Sequence, residues 1–137
     1  MSDFGRQVQR ISDKTKRRLD LVVRKATFEA FSEVVQMSPV DEGRFKGNWL
    51  TSIGTAQSGY GEQVDPSGQA TIASIEGVTL SAEAGDVVYF VNNLPYAQRL
   101  EYGWSGQAPG GMVRITAAKW QPIVDKMVAQ VVAQDGG

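Results

Sequence analysis

The hydrophobic period of this chain changes at Pro39, and that change limits the possible folds more than any other feature. Upstream, Leu19, Val22, Val23, Ala26, Ala30, Val34 and Met37 recur at helical spacing, which predicts one long helix over about residues 2–37. Pro39 ends it, because proline lacks an N–H and disfavours the helical region at Ser38. Gly43 then frees the backbone to turn. From Arg44 to Ile53 the period becomes two, with Phe45, Trp49 and Ile53 on one face and Lys46, Asn48 and Ser52 on the other. That alternation predicts a strand.

The long helix is not uniform. Before Leu19 apolar residues such as Val8 and Ile11 are sparse in a stretch rich in charge, so residues 1–18 are expected to be helical but exposed, or frayed until a partner orders them. Beyond residue 27 the opposite face carries Phe28 and Val35, with Phe31 between the faces. A helix apolar on two sides needs cover on two sides, either from its own domain or from a neighbouring subunit.

Residues 54–70 run through Gly, Ser, Gln, Asp and Pro with few apolar side chains, and are expected to be a mobile loop. Ile72 and Ile75 favour a short helix over residues 71–80, with Ser67 as its cap. Residues 87–91 (Val-Val-Tyr-Phe-Val) are apolar on both faces, which predicts a strand covered on both sides. Pro95 and Gly103 suit the two ends of a short helix. Residues 112–115 are read as a final strand, and Thr116 as the cap of a closing helix running to about Ala133, kinked or begun at Pro122. The expected fold is a single α+β domain over residues 1–137. A small, mainly antiparallel sheet is packed by a long N-terminal and a C-terminal helix.

Composition narrows the chemistry. A chain of 137 residues buries about two-thirds of its unfolded surface, enough for one core without staples. The sequence has no Cys and no His, which removes thiol chemistry, disulfides and the commonest general base and metal ligand. Asp41 and Glu42 alone are too few ligands for a calcium or magnesium site. No cofactor is expected. Gly110-Gly111 lacks the lysine and glycine spacing of a phosphate loop. No apolar run approaches a membrane span, and the N-terminus lacks the order of a signal peptide, so a protein that works without membrane or secretion is expected.

Charge is uneven. Residues 1–25 hold eight Lys or Arg against three Asp, while residues 41–101 hold eight acids against Arg44, Lys46 and Arg99. The two segments therefore carry about +5 and −5 and are natural candidates for two mutually attracting faces.

Two stretches carry most of the specific information: Ser38-Pro39-Val40-Asp41-Glu42-Gly43-Arg44-Phe45-Lys46-Gly47-Asn48-Trp49, and Asn92-Asn93-Leu94-Pro95-Tyr96-Ala97-Gln98-Arg99-Leu100-Glu101-Tyr102-Gly103-Trp104. With Gln107-Ala108-Pro109-Gly110-Gly111-Met112-Val113-Arg114 they resemble the tail-completion (neck) proteins of long-tailed bacteriophages, a family of minor tail components. The resemblance covers roughly residues 34–127. It departs from the usual motif at Glu42, where Thr or Ser is more typical. It implies a virion component at the head–tail junction, present in the host cytoplasm during assembly. Such a protein would act as a sixfold ring of identical subunits meeting the head connector and the tail-terminator or tail-tube proteins.

The candidate interface residues are Arg17, Arg18, Arg24, Phe28, Val35, Asp41, Glu42, Glu101 and Trp104. Trp104 stands between glycines in a loop and is expected to anchor a partner. The basic helix face also suits weak contact with genomic DNA, and a small nucleic-acid-binding protein is the alternative from another class. A tail-terminator subunit is the nearer alternative. An Asp41–Glu101 acid–base pair has no support in its local sequence, and no enzymatic activity is expected.

Overall fold

The computed structural model describes residues 2–40 and 43–135. Its longest element is α1 (Asp3–Met37). The Ser2 hydroxyl accepts from the Gly5 N–H at 3.1 Å, satisfying an amide otherwise unpaired at the helix start. Asp3 sits in the first turn, where its charge meets the positive end of the helix dipole. Ser38, extended as a residue before proline must be, ends the helix. Its hydroxyl donates to the Val34 carbonyl at 2.7 Å and accepts from the Trp49 indole N–H at 2.9 Å. The helix stop is thereby tied to the following strand.

The segment from Arg44 corrects the expected strand. A helical turn, α2 (Arg44–Gly47), comes first, and β1 (Trp49–Ile53) begins after it. Phe45 and Trp49 are four residues apart, a spacing that a two-residue and a 3.6-residue period both place on one face. Gly43 has φ 89°, and a Cβ there would lie 2.5 Å from the Pro66 nitrogen, so backbone and space both require glycine.

After residues 54–68 comes α3 (Gln69–Thr79), starting two residues before the expected point. The Ser67 hydroxyl accepts from the Gln69 N–H at 3.2 Å, and the Asp65 carboxylate accepts from both the N–H and the hydroxyl of Thr71, each at 2.8 Å. Burial alone would raise the Asp65 pKa. The bonds from Thr71, with those from the Ala70 and Gly68 N–H groups, hold it below the usual carboxylate value.

Strand β2 (Val88–Asn92) pairs antiparallel with β1, with Trp49 opposite Asn92 and Ile53 opposite Val88. All five β2 residues are only partly buried, and Val87 lies outside the strand and is exposed. The expectation of a strand inside a sheet with both faces covered is therefore corrected: the sheet has two strands among the described residues, which leaves β2 without a second neighbour, and its side chains on both faces keep partial exposure. The expected third strand at residues 112–115 belongs instead to α5 (Val113–Ala118), which follows α4 (Ala97–Glu101). Thr116 lies inside α5 rather than capping the last helix. The chain breaks at Lys119, and α6 (Trp120–Gln134) closes the fold with Pro122 in its first turn, where the missing N–H costs nothing.

These elements make an α+β domain, as the periodicity predicted. Phe31 of α1 stacks on Phe90 of β2 with ring centroids 4.4 Å apart, and Phe90 stacks on Trp49 at 4.5 Å. Trp49 meets Phe45 edge-on at 5.5 Å. Around this ladder lie Val34, Val35, Ile75, Leu94 and Met112. A second cluster joins Ala26 and Ala30 of α1 to Ile123 and Met127 of α6, small residues opposite long ones letting the helices close on each other. No helix among the described residues is long and apolar enough to cross a membrane.

Trp49→Ala should cost roughly 3–5 kcal/mol in a denaturant melt, because it removes a buried indole and orphans the Ser38 contact. A loss below ~1 kcal/mol would show that the ladder does not hold the helix to the sheet.

Candidate interaction site

The two informative stretches meet in space, and their polar side chains hold backbone. The Gln107 amide pairs twice with Val40, accepting from its N–H at 2.8 Å and donating to its carbonyl at 2.9 Å, as a strand neighbour would. Asn92 donates to the Phe45 carbonyl at 2.9 Å and accepts from the Leu94 N–H at 3.2 Å. Asn48, fully buried, accepts from the Gly61 N–H at 2.8 Å and donates to the Arg44 carbonyl at 2.7 Å. Asn93 donates to the Gln57 and Gly59 carbonyls, both at 3.1 Å. The loop expected to be mobile is therefore tied to the body at Asn48 and Asn93, and by Arg44 to the Gly61 carbonyl at 3.1 Å.

Glu101 is the most heavily used of these groups. Its carboxylate accepts from the Met112 and Val113 N–H groups at 3.0 and 2.9 Å, and from the Arg114 N–H and Nε at 3.0 Å each. Three successive amides pointing at one carboxylate is the geometry of a helix start, which is why residues 112–115 fold as helix rather than strand. Burial works to raise the Glu101 pKa, but these four bonds outweigh it and leave the carboxyl below its ordinary value. Gly103, at φ 89°, lets the chain turn away beneath Pro109.

Between the stretches opens a surface cleft of about 540 Å³. Pro39, Val40, Phe45, Tyr96, Leu100 and Trp104 supply its apolar lining, and Arg44, Arg99, Ser105 and Gln107 its polar lining. Arg44 pairs with Glu62 at 3.1 Å and lies 5.7 Å from the Tyr60 ring. Arg99 lies 5.0 Å from the Trp104 ring, a cation over an aromatic face. Trp104 is nonetheless 74% exposed.

The predicted site residues do not form one site. Trp104 lies at the cleft, and Glu101 beside it is spent on α5 rather than offered to a partner. Asp41 and Glu42 lie outside the described residues. Arg17, Arg18 and Arg24 sit far along α1. Arg17 is exposed, Arg18 pairs with Asp135 at 2.8 Å, and Arg24 donates to the Ala82 carbonyl at 2.7 Å. Phe28 is half-buried against the first core cluster. Val35 is completely buried, which corrects its place among interface candidates: its side chain belongs to the core. The basic helix and the acidic middle segment also meet within the chain. Lys16 lies 3.8 Å from Glu83, and Asp20 accepts from the Ala84 N–H at 2.8 Å. Asp20 is held below the usual carboxylate range first by that N–H and then, against its own burial, by Lys16.

Sequence reasoning missed Ser38, Asn48, Asn92, Asn93 and Gln107 as the locking residues. The available signal was small amide and hydroxyl side chains packed beside Pro and Gly, where free backbone groups need partners. Among the described residues, no group of three His, Cys, Asp or Glu side chains could hold a metal ion. Comparison with family models, curated proteins and solved structures finds no match to this chain.

Two variants test these locks. Asn48→Ala should expose residues 54–64 to limited proteolysis at sites resistant in the wild type; equal resistance would mean that Asn48 does not hold the loop. Glu101→Gln should lower stability by about 1–3 kcal/mol near neutral pH. Because the folded pKa is depressed, the wild-type contribution is complete above the unfolded value of about 4.5 and is lost as pH falls through the lower folded value. The melting difference between the two proteins should therefore shrink as pH falls below that unfolded value. A constant difference would contradict the linkage.

Proposed function

We propose that this protein is a structural component of a phage virion, which completes the tail end and joins it to the head connector as a ring of identical subunits. One observation carries the reading best: Asn48, Asn92, Asn93, Glu101 and Gln107 are committed to holding backbone, while Trp104 is left exposed at the cleft between the two stretches. Such a site is suited to binding a partner, and among its described residues the one carboxylate, Glu101, is already bonded to backbone amides. The resemblance of the same stretches to tail-completion proteins supplies the role, the sixfold ring and the virion location. Binding energy summed over several copies then makes the joint durable.

The nucleic-acid reading is weakened by the commitments of Arg18 and Arg24, which leave less of the basic face for phosphates. Weak contact with genomic DNA remains part of the proposal, through Arg17 and the cations before it on α1.

Loss of the gene should yield DNA-filled heads and separate tails of normal length, joined when purified protein is added. Tails of abnormal length would mean a terminator role, and normal infectious particles would reject the proposal. Trp104→Ala should keep its stability within about 0.5 kcal/mol yet fail to restore joining. Full restoration by that variant would remove Trp104 as the anchor. Tight, salt-sensitive DNA binding by the wild type would favour the nucleic-acid class.

A further inference from the structure

The helix α1 extends well beyond the body. Its partner α6 runs antiparallel to it, with Lys126 on Glu29 at 2.6 Å and Asp135 on Arg18 at 2.8 Å, and then stops. Residues 3–17 continue past that point for about 22 Å at 1.5 Å per residue. Along this overhang Phe4, Val8 and Ile11 lie on the N-terminal continuation of the face that α6 covers at Val22, Ala26 and Ala30. Phe4 is 75% and Ile11 67% exposed.

A second uncovered apolar face lies on the body. Trp120, Val124, Val128 and Val132 recur every four residues on α6, beside its buried line of Ile123, Met127 and Val131, with Val124 half-buried against the second core cluster. Trp120, Val128 and Val132 are exposed. At the Trp120 end this face opens into a groove of about 490 Å³ between α1, β2 and α5, walled by Phe31, Phe90 and Val113. The Thr116 hydroxyl in that wall is buried without a hydrogen-bond partner.

We propose that the α1 overhang of one copy packs along the Trp120–Val132 face of α6 in a second copy. Three arguments select this occupant. The two faces cannot meet within one chain, because a single continuous helix carries the overhang away from α6. Their lengths agree: Phe4 to Thr15 spans about 17 Å and Trp120 to Val132 about 18 Å. Charge then decides between the possible self-contacts. Residues 3–17 hold Arg6, Arg10, Lys14, Lys16 and Arg17 against Asp3 and Asp13, about +3 in a chain of net charge −1, with Lys16 already paired to Asp20 and Glu83. The rest of the chain is therefore about −4, and α6 itself is balanced, with the exposed Asp125 against Lys126, which is paired with Glu29. Overhang against overhang sets like charges together, whereas overhang against body sets opposite ones. The contact is heterologous, so each copy both gives an overhang and receives one, the arrangement that closes rings. It rests on the ring reading above for its role, but not for its existence.

The test uses two exposed positions, Ile11→Asp and Val128→Asp, with circular dichroism and melting to show that both variants stay folded. The wild type should sediment as an oligomer, and each variant alone as a monomer. Mixed together they should form a one-to-one dimer and nothing larger, since only one intact overhang and one intact α6 face remain. An oligomer that survives Val128→Asp but not Ile11→Asp would mean overhang-to-overhang pairing and overturn the proposal. So would a monomeric wild type, whether inert or bound through the overhang to anionic phospholipid vesicles or duplex DNA. Failure of joining in lysates with the oligomer intact would count against the head–tail role alone.

Discussion

The indole of Trp49 is the contact on which the rest of the structure depends. Its N–H bonds the hydroxyl of Ser38, the residue at which α1 stops, while its ring stacks on Phe90 and meets Phe45 edge-on. One side chain thus fixes the end of the long helix, the start of the sheet and the turn between them. A buried indole is well suited to this, because it offers a large apolar face and a single donor that must be satisfied. Everything that follows is positioned relative to this junction: β2 through the Phe90 ring, and α3 through its contacts with α1 and β1.

The next layer of order comes from polar side chains bonding backbone. A sheet of only two strands leaves many amides and carbonyls without ladder partners, and each would be costly to bury unpaired. Asn48, Asn92, Asn93, Gln107 and Glu101 fill that need, and they do so at the two stretches that first distinguished the sequence. Their chemistry is consistent with a rigid platform whose remaining free features are shape, exposed aromatic surface and charge. Trp104 on one side and the α1 overhang on another are such features, lying on different parts of the molecule. Separate patches are what a subunit needs if it meets both its own copies and other components.

Sequence periodicity made the α+β class legible, together with the length of α1, its stop at Pro39, the short helix before Gly103 and the largely exposed character of residues 2–18. These depend on local terms: helical spacing, the geometry of proline, and the left-handed tolerance of glycine at position 103. The exposure of Trp104 was legible too, since it sits between Gly103 and Ser105-Gly106 in a segment with little apolar company.

Tertiary structure alone decided the rest. Phe45 and Trp49 fit two periods equally, and only the Gly43 turn against Pro66 selected helix before strand. Residues 112–115 have the composition of a strand, yet Glu101, more than ten positions earlier, presents oxygens that three successive amides satisfy only as a helix start. Val35 looked available on an outward face until Ile75 and Met112 joined it in the core. In each case the local preference was nearly balanced, and a contact between residues distant in sequence tipped it. The sequence by itself determined where the chain can be regular; which regular form was taken, and which faces stayed open, followed from hydrogen bonds and packing that only the folded chain brings together.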